Sequence, residues 1–594
     1  MKIERPSWFG SSLNPAEAIA KDPLEGHEFK PAVGTPETAK RQVTLPPDFS
    51  QETFERAIAD LRAILGAEHV EINDVPLNSG NYYHPALSHD AYNVTDADYF
   101  VPSAICYPGC TADVQSVVKW ANRWNFPLWA FSVGRNLGYG GAAPRVPGSL
   151  AVHLGKRMNK VLKIDDKAAN CLLEPGVTYM DLYEELKRRG LGEKLWIDVP
   201  DLGGGSVVGN AIDRGVGYTP YGDHFAQHCG MEVVLPNGEL VNLGMDSMPG
   251  SQTGQAFQYG FGPYLNGMFT QSNYGIVTKM GMWLMPSPGG IRPFLISFMH
   301  RDDLEAAVDV LQPLMASRTL GNLPSLRNGL WDAAVYGSKD KYWPENDGRV
   351  VPRDVEERIL KEKNLGHWVF YGALYGPDDA TAQQWETIKK SFSHIKDVRF
   401  QLREDVPPES YLHDRAAVFA GVPTFRELAW HQWIPNAGEL FFAPISGVSG
   451  KDAVAQVAMA TKITNKYGFD YLGTFYTSVR ESHHIITLLF DRAKPEQRHR
   501  AEKCIRELIA EFAKLGYGEY RSHIATADQI MATYGANDNA FRRLCETIKD
   551  ALDPNGILQP GRSGVWPRAY RGKGWEIDGV APLKQANKGS AGKL

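Results

Sequence analysis

The sequence predicts an α+β protein built of two large domains, and three observations carry that prediction. Helical and strand periodicities alternate along the chain. The texture changes around residues 286–293, after which long amphipathic helices dominate. The length is 594 residues, which at ~150 residues per domain corresponds to roughly four domains or two large ones. With 43% hydrophobic and 22% charged residues, a sizeable core is available, and disorder, collagen and coiled coil are excluded.

Taken in order, residues 1 to about 45 are polar, Pro-rich and aperiodic, and read as an arm over the surface. Phe54, Ala57, Leu61, Ile64 and Leu65 fall at helical spacing, as do Val114, Val117, Val118, Ala121 and Trp124. The second helix leads to an apolar strand, PLWAFSV (127–133), which runs directly into the Gly-rich GRNLGYGGAAP (134–144). A further helix runs from Tyr179 to Arg189 and is stopped by Gly190. MEVVL and ELVNLG flank Pro236-Asn237-Gly238, a hairpin signal. Beyond the change of texture, helices at 304–316, 380–395, 452–467 and 496–515 alternate with strands at 368–376, 439–445 and 485–490. These make a second α+β domain. From 516 the chain is again rich in turns and is expected to return to the first domain.

Charge excludes several partners. Lys and Arg number 63 against 69 Asp and Glu, a net −6 without a long basic run, so nucleic acid and anionic membranes are poor candidates. The N-terminus lacks a signal-peptide stretch and no apolar run of membrane-spanning length stands out. A cytoplasmic protein is expected; Gly592-Lys593-Leu594 only partly matches the peroxisomal Ser-Lys-Leu signal. Cys106 and Cys110 are four apart, but no second pair completes a zinc site, so no metal is expected. The 14 Trp, 25 Tyr and 25 Phe fit either a large aromatic core or an aromatic-lined pocket.

Three glycine-rich segments carry the chemistry. Consecutive backbone N–H groups at 132–141 can hold phosphate oxygens without a charged side chain, although the loop has neither Walker nor GxGxxG spacing. DVPDLGGGSVVGNAIDRGVGYTPYGDHF (198–225) offers close backbone approach and small polar donors, and LQPGRSGVWP (558–567) adds another turn. Together they suggest a large phosphorylated cofactor gripped by several loops. Asp201, just before three glycines, reads from spacing as a turn or cap carboxylate, with acid–base work as the alternative. Tyr520 and Arg521 are adjacent, and in a strand they would face opposite ways. His483-His484 reads as core and strand-edge histidine.

These segments, with LEPGVTYMDLY (173–183), RESHH (480–484), GEYRSH (518–523) and the stretch 259–286, resemble the 4-phenol-oxidising flavoproteins of the p-cresol methylhydroxylase and vanillyl-alcohol oxidase type. The resemblance spans about residues 45–570. It implies an FAD-binding fold of that type with an α+β cap: an arm at 1–45, the FAD-binding domain at 46–287, the cap at 288–515, and a C-terminal segment, 516–594, returning to the FAD-binding domain. It implies that Ser132, Val133, Gly134, Arg135 and Asn136 bind FAD, together with Gly204, Ser206, Gly209, Asn210, Val277 and Arg562. The family's phenolate-binding trio falls on Tyr139, Tyr520 and Arg521, and its catalytic carboxylate on Asp201, overriding the capping interpretation. Tyr218 matches a further tyrosine near the substrate; Trp430, Phe441 and Thr474 match pocket positions. The implied reaction takes a hydride from the benzylic carbon of a para-substituted phenol to flavin N5, through a p-quinone methide. O2 would be the acceptor, giving H2O2, with a cytochrome c-linked dehydrogenase as the alternative and a binding protein without turnover as a third.

Two positions depart from the family. Glu439 in PNAGELFFAP stands where the oxidases tether FAD through His, and Tyr92 replaces a His that assists the linkage. A dissociable FAD is therefore expected. The segment 244–264 is short where an octameric relative has a longer interface loop, so a homodimer is expected.

Overall fold

The computed structural model describes residues 42–74, 100–435, 437–491 and 494–577. Most of the arm, Tyr92 and the C-terminal tripeptide lie outside the described residues. The helix at Phe54 runs Gln51–Leu65, with the Ser50 hydroxyl accepting from the Thr53 N–H and Phe54, Ala57, Ile58 and Leu61 buried. The next helix, Thr111–Trp124, packs its Val114, Val117, Val118 and Trp120 stripe on the same core. That core is covered by a four-stranded sheet ordered Val70–Ile72, Ala104–Cys106, Leu150–His153, Leu128–Phe131.

A second, antiparallel sheet of five strands follows, ordered Val161–Asp165, Asn170–Leu173, Ile276–Trp283, His228–Val234, Leu240–Leu243. Its last two strands are the hairpin around Pro236-Asn237-Gly238, with Val234 opposite Leu240 and Gly238 at φ 84°.

From Ile291 the chain builds an antiparallel sheet whose main path is Arg399–Leu402, Ile291–Phe298, Trp368–Tyr375, Ser325–Asn328, Leu472–Thr477, Ser482–Asp491, Ala437–Phe442. Side-chain alternation splits it into two faces. Phe294, Phe370, Leu440, Phe442, Phe475 and Ile486 point into a core shared with the helices Leu304–Ala316, Gly450–Lys466 and Pro495–Lys514. Their neighbours Glu439, Phe441, Thr474, Tyr476 and Ile485 face a cavity on the other side.

The C-terminal segment lies against the first sheet. Leu128 N–H donates to the Ile557 carbonyl, the Leu128 carbonyl accepts from Gln559 N–H, and Asn273 Nδ2 donates to the carbonyls of Gln559 and Val565. The buried Lys549 ammonium donates to the carbonyls of Asn273 and Leu558 and to Asp553, tying three strands of chain together. The segment is less turn-rich than its sequence suggests: it contains the helices Ala527–Thr533 and Ala536–Leu552. The Asn-Asp-Asn stretch at 537–539, left-handed here, interrupts the second helix at its start and obscures its periodicity.

Candidate active site

The glycine loop after Leu128–Phe131 and the cap sheet enclose a cavity of about 270 Å³. Ser132, Val133, Gly134, Arg135 and Asn136 line it, with Ser206, Gly209, Asn210, Val277 and Arg562. Gly138 needs its glycine twice over: its φ is +75°, and a Cβ there would lie 2.4 Å from the Phe441 ring. At Gly209 a Cβ would meet Ser132 Oγ at 2.3 Å. These glycines keep open a cradle of backbone and small donors suited to a long phosphorylated ligand. Gly204 is not in this lining; its carbonyl instead accepts from Arg135 Nη1 at 3.0 Å and fixes the loop's arginine.

Packing behind the cradle orients its side chains. Ser206 Oγ accepts from Gly209 N–H and donates to the Pro175 carbonyl. Asn210 Oδ1 lies 2.5 Å from His224 Nδ1, whose Nε2 lies 2.6 Å from the buried Asp198 carboxylate. Asn136 Nδ2 donates to Asp213, which is also paired with Arg562.

Asp201 stands in the wall of this cavity, its side chain 40% exposed to it. Tyr218 donates to Asp201 Oδ1 at 2.6 Å and lies 3.0 Å from the Tyr476 hydroxyl. Behind them is a charged cluster with no signature in the sequence. Arg415 is fully buried, 3.6 Å from Asp201, stacked over the Tyr218 ring and paired with the buried Glu427. Arg327 lies 3.5 Å from the same Glu427 and hydrogen-bonds Tyr411. Burial, reinforced by Glu427, raises the Asp201 pKa, with Arg415 and Arg327 offsetting part of the rise. Burial also opposes charge on Glu427, but the two arginines overcome it and hold its pKa low. Buried arginines and glutamates read in a sequence like any solvated face; only Tyr476, two residues after Thr474 on one strand, was within reach of alternation.

Tyr139, Tyr520 and Arg521 come together elsewhere in the wall. The expectation that Tyr520 and Arg521 face opposite ways fails because they follow an isolated bridge, Pro444–Glu519, and sit in a bend rather than a strand. Arg521 lies 4.5 Å from the Tyr139 ring centroid and 5.1 Å from that of Tyr520. Tyr139 stacks on Phe441, and Tyr520 packs edge-on against His483. Burial raises the pKa of both tyrosines, with Arg521 pulling the other way. The Tyr520 hydroxyl and Arg521 Nε are buried without a hydrogen-bond partner, as orphaned donors awaiting a ligand would be. Tyr139 and Arg521 line the cavity that holds Asp201; Tyr520 lines an adjoining one.

The remaining cap residues, Trp430, Phe441 and Thr474, line the same cavity. Trp430 is buried against Trp331 and Phe441, and Thr474 Oγ1 is buried facing the cavity. Glu439 is wholly buried, its carboxylate 2.6 Å from His431 Nε2, a partner that sequence inspection missed. Of the histidine pair, His484 is core, hydrogen-bonded to Tyr471, with burial lowering its pKa to about 3. Among the described residues no cluster of three metal-ligating side chains occurs, and no helix is long and apolar enough to cross a membrane.

Residues 102–244 match the family described as FAD binding domain, and residues 424–563 the C-terminal domain of FAD linked oxidases. The 4-cresol dehydrogenase [hydroxylating] flavoprotein subunit of Pseudomonas putida is 38% identical over 526 residues, covering 89% of this chain and 98% of the relative. The structure of 4-ethylphenol oxidase from Gulosibacter chungangensis superposes with a TM-score of 0.85 at 41% identity, covering 89% of this chain and 100% of that one. That of p-cresol methylhydroxylase gives 0.83 at 37% identity, covering 88% and 99%.

Proposed function

This chain belongs to the p-cresol methylhydroxylase type of FAD-dependent oxidoreductases, and from that premise we propose that it oxidises para-substituted phenols at the benzylic carbon. The substrates are vanillyl-type alcohols, 4-alkylphenols or 4-allylphenols. One observation carries the reading: Arg521, a guanidinium with an orphaned Nε, and the cavity-facing carboxylate of Asp201 sit in one enclosed wall that the FAD cradle completes.

FAD, when bound, supplies the hydride acceptor. Ser132–Asn136, Ser206, Gly209, Asn210, Val277 and Arg562 would hold it, and non-covalently, because Glu439 stands where the family's oxidases carry the tethering His. Arg521 draws the substrate hydroxyl toward its phenolate form, aided by the phenol groups of Tyr139 and Tyr520. A phenolate para to the reacting carbon pushes electrons toward it, and fixed charge aimed at that developing change is the largest ordinary contribution to such catalysis. Asp201, whose pKa is raised by burial and by Glu427, takes the proton from the water or side-chain hydroxyl that resolves the quinone methide. Trp430, Phe441 and Thr474 bound the para substituent, and Tyr218 fixes the carboxylate.

O2 is the acceptor in this reading, supported by the 41% identity to a 4-ethylphenol oxidase. Electron transfer to a separate cytochrome is the second reading, favoured by the 38% identity to a 4-cresol dehydrogenase flavoprotein subunit. The protein is proposed to act as a homodimer. Mixing the holoenzyme anaerobically with vanillyl alcohol and 4-propylguaiacol, then admitting air, tests all of this. Bleaching with recovery in air supports the oxidase. Bleaching that recovers only with a cytochrome acceptor supports the second reading, and no bleaching with any 4-substituted phenol rejects both. Yellow colour that stays with acid-precipitated protein would contradict dissociable FAD.

A further inference from the structure

A group of side chains behind Asn210, namely Tyr179, Asp198 and His224, stands outside the cavity lining. Asp198 and His224 are buried, with side chains only 5% and 2% exposed. Asp198 Oδ2 accepts from Thr219 N–H, and Oδ1 lies 2.6 Å from His224 Nε2, its one ion pair among the described residues. A buried carboxylate stays charged only beside a partner of opposite charge, so the imidazole carries N–H on both nitrogens. The other nitrogen, Nδ1, lies 2.5 Å from Asn210 Oδ1, to which the Tyr179 hydroxyl also donates. Two donors converging on Asn210 demand its carbonyl oxygen. That leaves the amide nitrogen, Nδ2, for the cavity that Asn210 lines.

Two glycines make room for this relay. A Cβ at Gly217 would overlap Asp198 Oδ1 and lie 2.6 Å from His224 Nε2, and one at Gly215 would overlap the Asn210 amide. Neither glycine has a left-handed φ, so both are required for space and not for backbone conformation. Resting on the reading of the cavity as an FAD site, we propose that His224 is a positioning residue for the cofactor. Paired with Asp198, it fixes the Asn210 amide with Nδ2 toward the cavity, and tight retention of FAD depends on that donor.

Apo-protein titrated with FAD, followed by flavin fluorescence, tests the role through two isosteric substitutions. His224→Gln places an amide nitrogen where Nε2 stood, so it keeps Asp198 paired and loses the donor to Asn210. His224→Asn places one where Nδ1 stood, so it keeps that donor and strands Asp198. The FAD Kd is expected to rise about ten- to a hundredfold in His224→Gln, the worth of a charge-assisted donor, and to stay within about threefold in His224→Asn. The Tm of the apo-protein is expected in the opposite order, lower in His224→Asn, because a buried carboxylate is left without its partner. A purely structural role moves both readouts together. The same order in Kd and Tm, or a Kd within about twofold of wild type in His224→Gln, therefore overturns the proposal. Should either variant fail to fold, Asn210→Asp decides, since it keeps an acceptor for His224 and turns an oxygen toward the cavity. FAD binding is then expected to weaken at least about tenfold while the apo Tm holds. Unchanged FAD binding there, or a lowered apo Tm, overturns the proposal. If wild-type FAD resists removal, the rate of FAD uptake by apo-protein from riboflavin-starved cells gives the same comparisons. A wild type that takes up no FAD rejects the cofactor reading itself, whereas tight wild-type binding left intact by His224→Gln rejects the positioning role alone.

Discussion

The two chemical centres of the inner cavity wall are built on opposite plans. Around Asp201 the guanidiniums are held in ion pairs: Glu427 bridges Arg415 and Arg327, Arg415 also lies 3.6 Å from Asp201, and Tyr218 already donates to that carboxylate, although Arg415 Nε and Nη2 and Arg327 Nε keep no partner. Around Arg521 the close neighbours are instead two tyrosines, Tyr139 and Tyr520; Asp213 and Glu519 act on it electrostatically, burial raises the Glu519 pKa, and Arg521 Nε and the Tyr520 hydroxyl keep no partner. A centre that moves a proton benefits from charges paired in place before substrate arrives, because nothing must reorganise during the step. A centre that binds an anion benefits from unmet donors, which gain partners only when the ligand is present.

The sharpest way to break this contrast is to remove one group from each centre and read binding and rate separately. Asp201→Ala is expected to slow flavin reduction or product formation by about 10²–10⁴, the usual worth of general acid–base catalysis, with a much smaller effect on 4-bromophenol binding. Equal losses in both would merge the two roles. Glu427→Gln attacks the balance itself, since it leaves Arg415 and Arg327 facing each other without their shared carboxylate. Breaking a buried pair from one side costs about 3–5 kcal/mol, read as a lowered Tm of the apo and FAD-loaded protein. A Tm unchanged within error would mean that the cluster is hydrated.

At the other centre, Arg521→Ala removes a charge-assisted interaction worth about 1.5–3 kcal/mol, so 4-bromophenol binding is expected to weaken roughly 10- to 100-fold. Because Arg521 packs against the Tyr139 and Tyr520 rings and its substitution leaves no cation stranded, its Tm is expected to change far less than that of Glu427→Gln. A large Tm loss would show that this centre, too, is structurally satisfied in the ligand-free state.

The same contrast explains what the sequence could be made to yield. Helices and strands with one buried face were legible, since Phe54, Ala57 and Leu61 or Leu440 and Phe442 repeat at the spacing their element imposes. The glycine loop was legible because its backbone demands glycine at fixed places, as Gly138 does beneath Phe441. Tyr139, Asp201, Tyr520 and Arg521 stood out only through family motifs; spacing alone read Asp201 as a cap and sent Tyr520 and Arg521 apart. Arg415, Glu427, Arg327 and His431 gave no signal, because pairing across 8 to 100 positions is a tertiary fact. The helix Ala536–Leu552 was missed because Asn537, Asp538 and Asn539 read as a turn.

The smallest expected effect is also the one that ties the charged cluster to the chemistry. Tyr218 donates to the Asp201 carboxylate and so favours its ionised form. The Asp201 pKa is raised above the usual value because burial and Glu427 outweigh Arg415 and Arg327. Tyr218→Phe removes the donor, so the pKa is expected to rise further, by about one unit, which corresponds to ~1.4 kcal/mol. As a base, Asp201 is active only when ionised. The rate therefore falls as pH drops through its pKa, and in Tyr218→Phe that acid limb is expected to move to higher pH. Stability responds with the opposite sense. A carboxyl whose folded-state pKa is raised favours the fold when protonated, so its destabilising contribution, present above the folded pKa, is relieved as pH falls toward the unfolded value. The limiting rate of product formation and Tm, each measured against pH, separate the two. A Tm profile that shifts while the acid limb stays in place would mean that Asp201 titrates as described but is not the base that limits turnover.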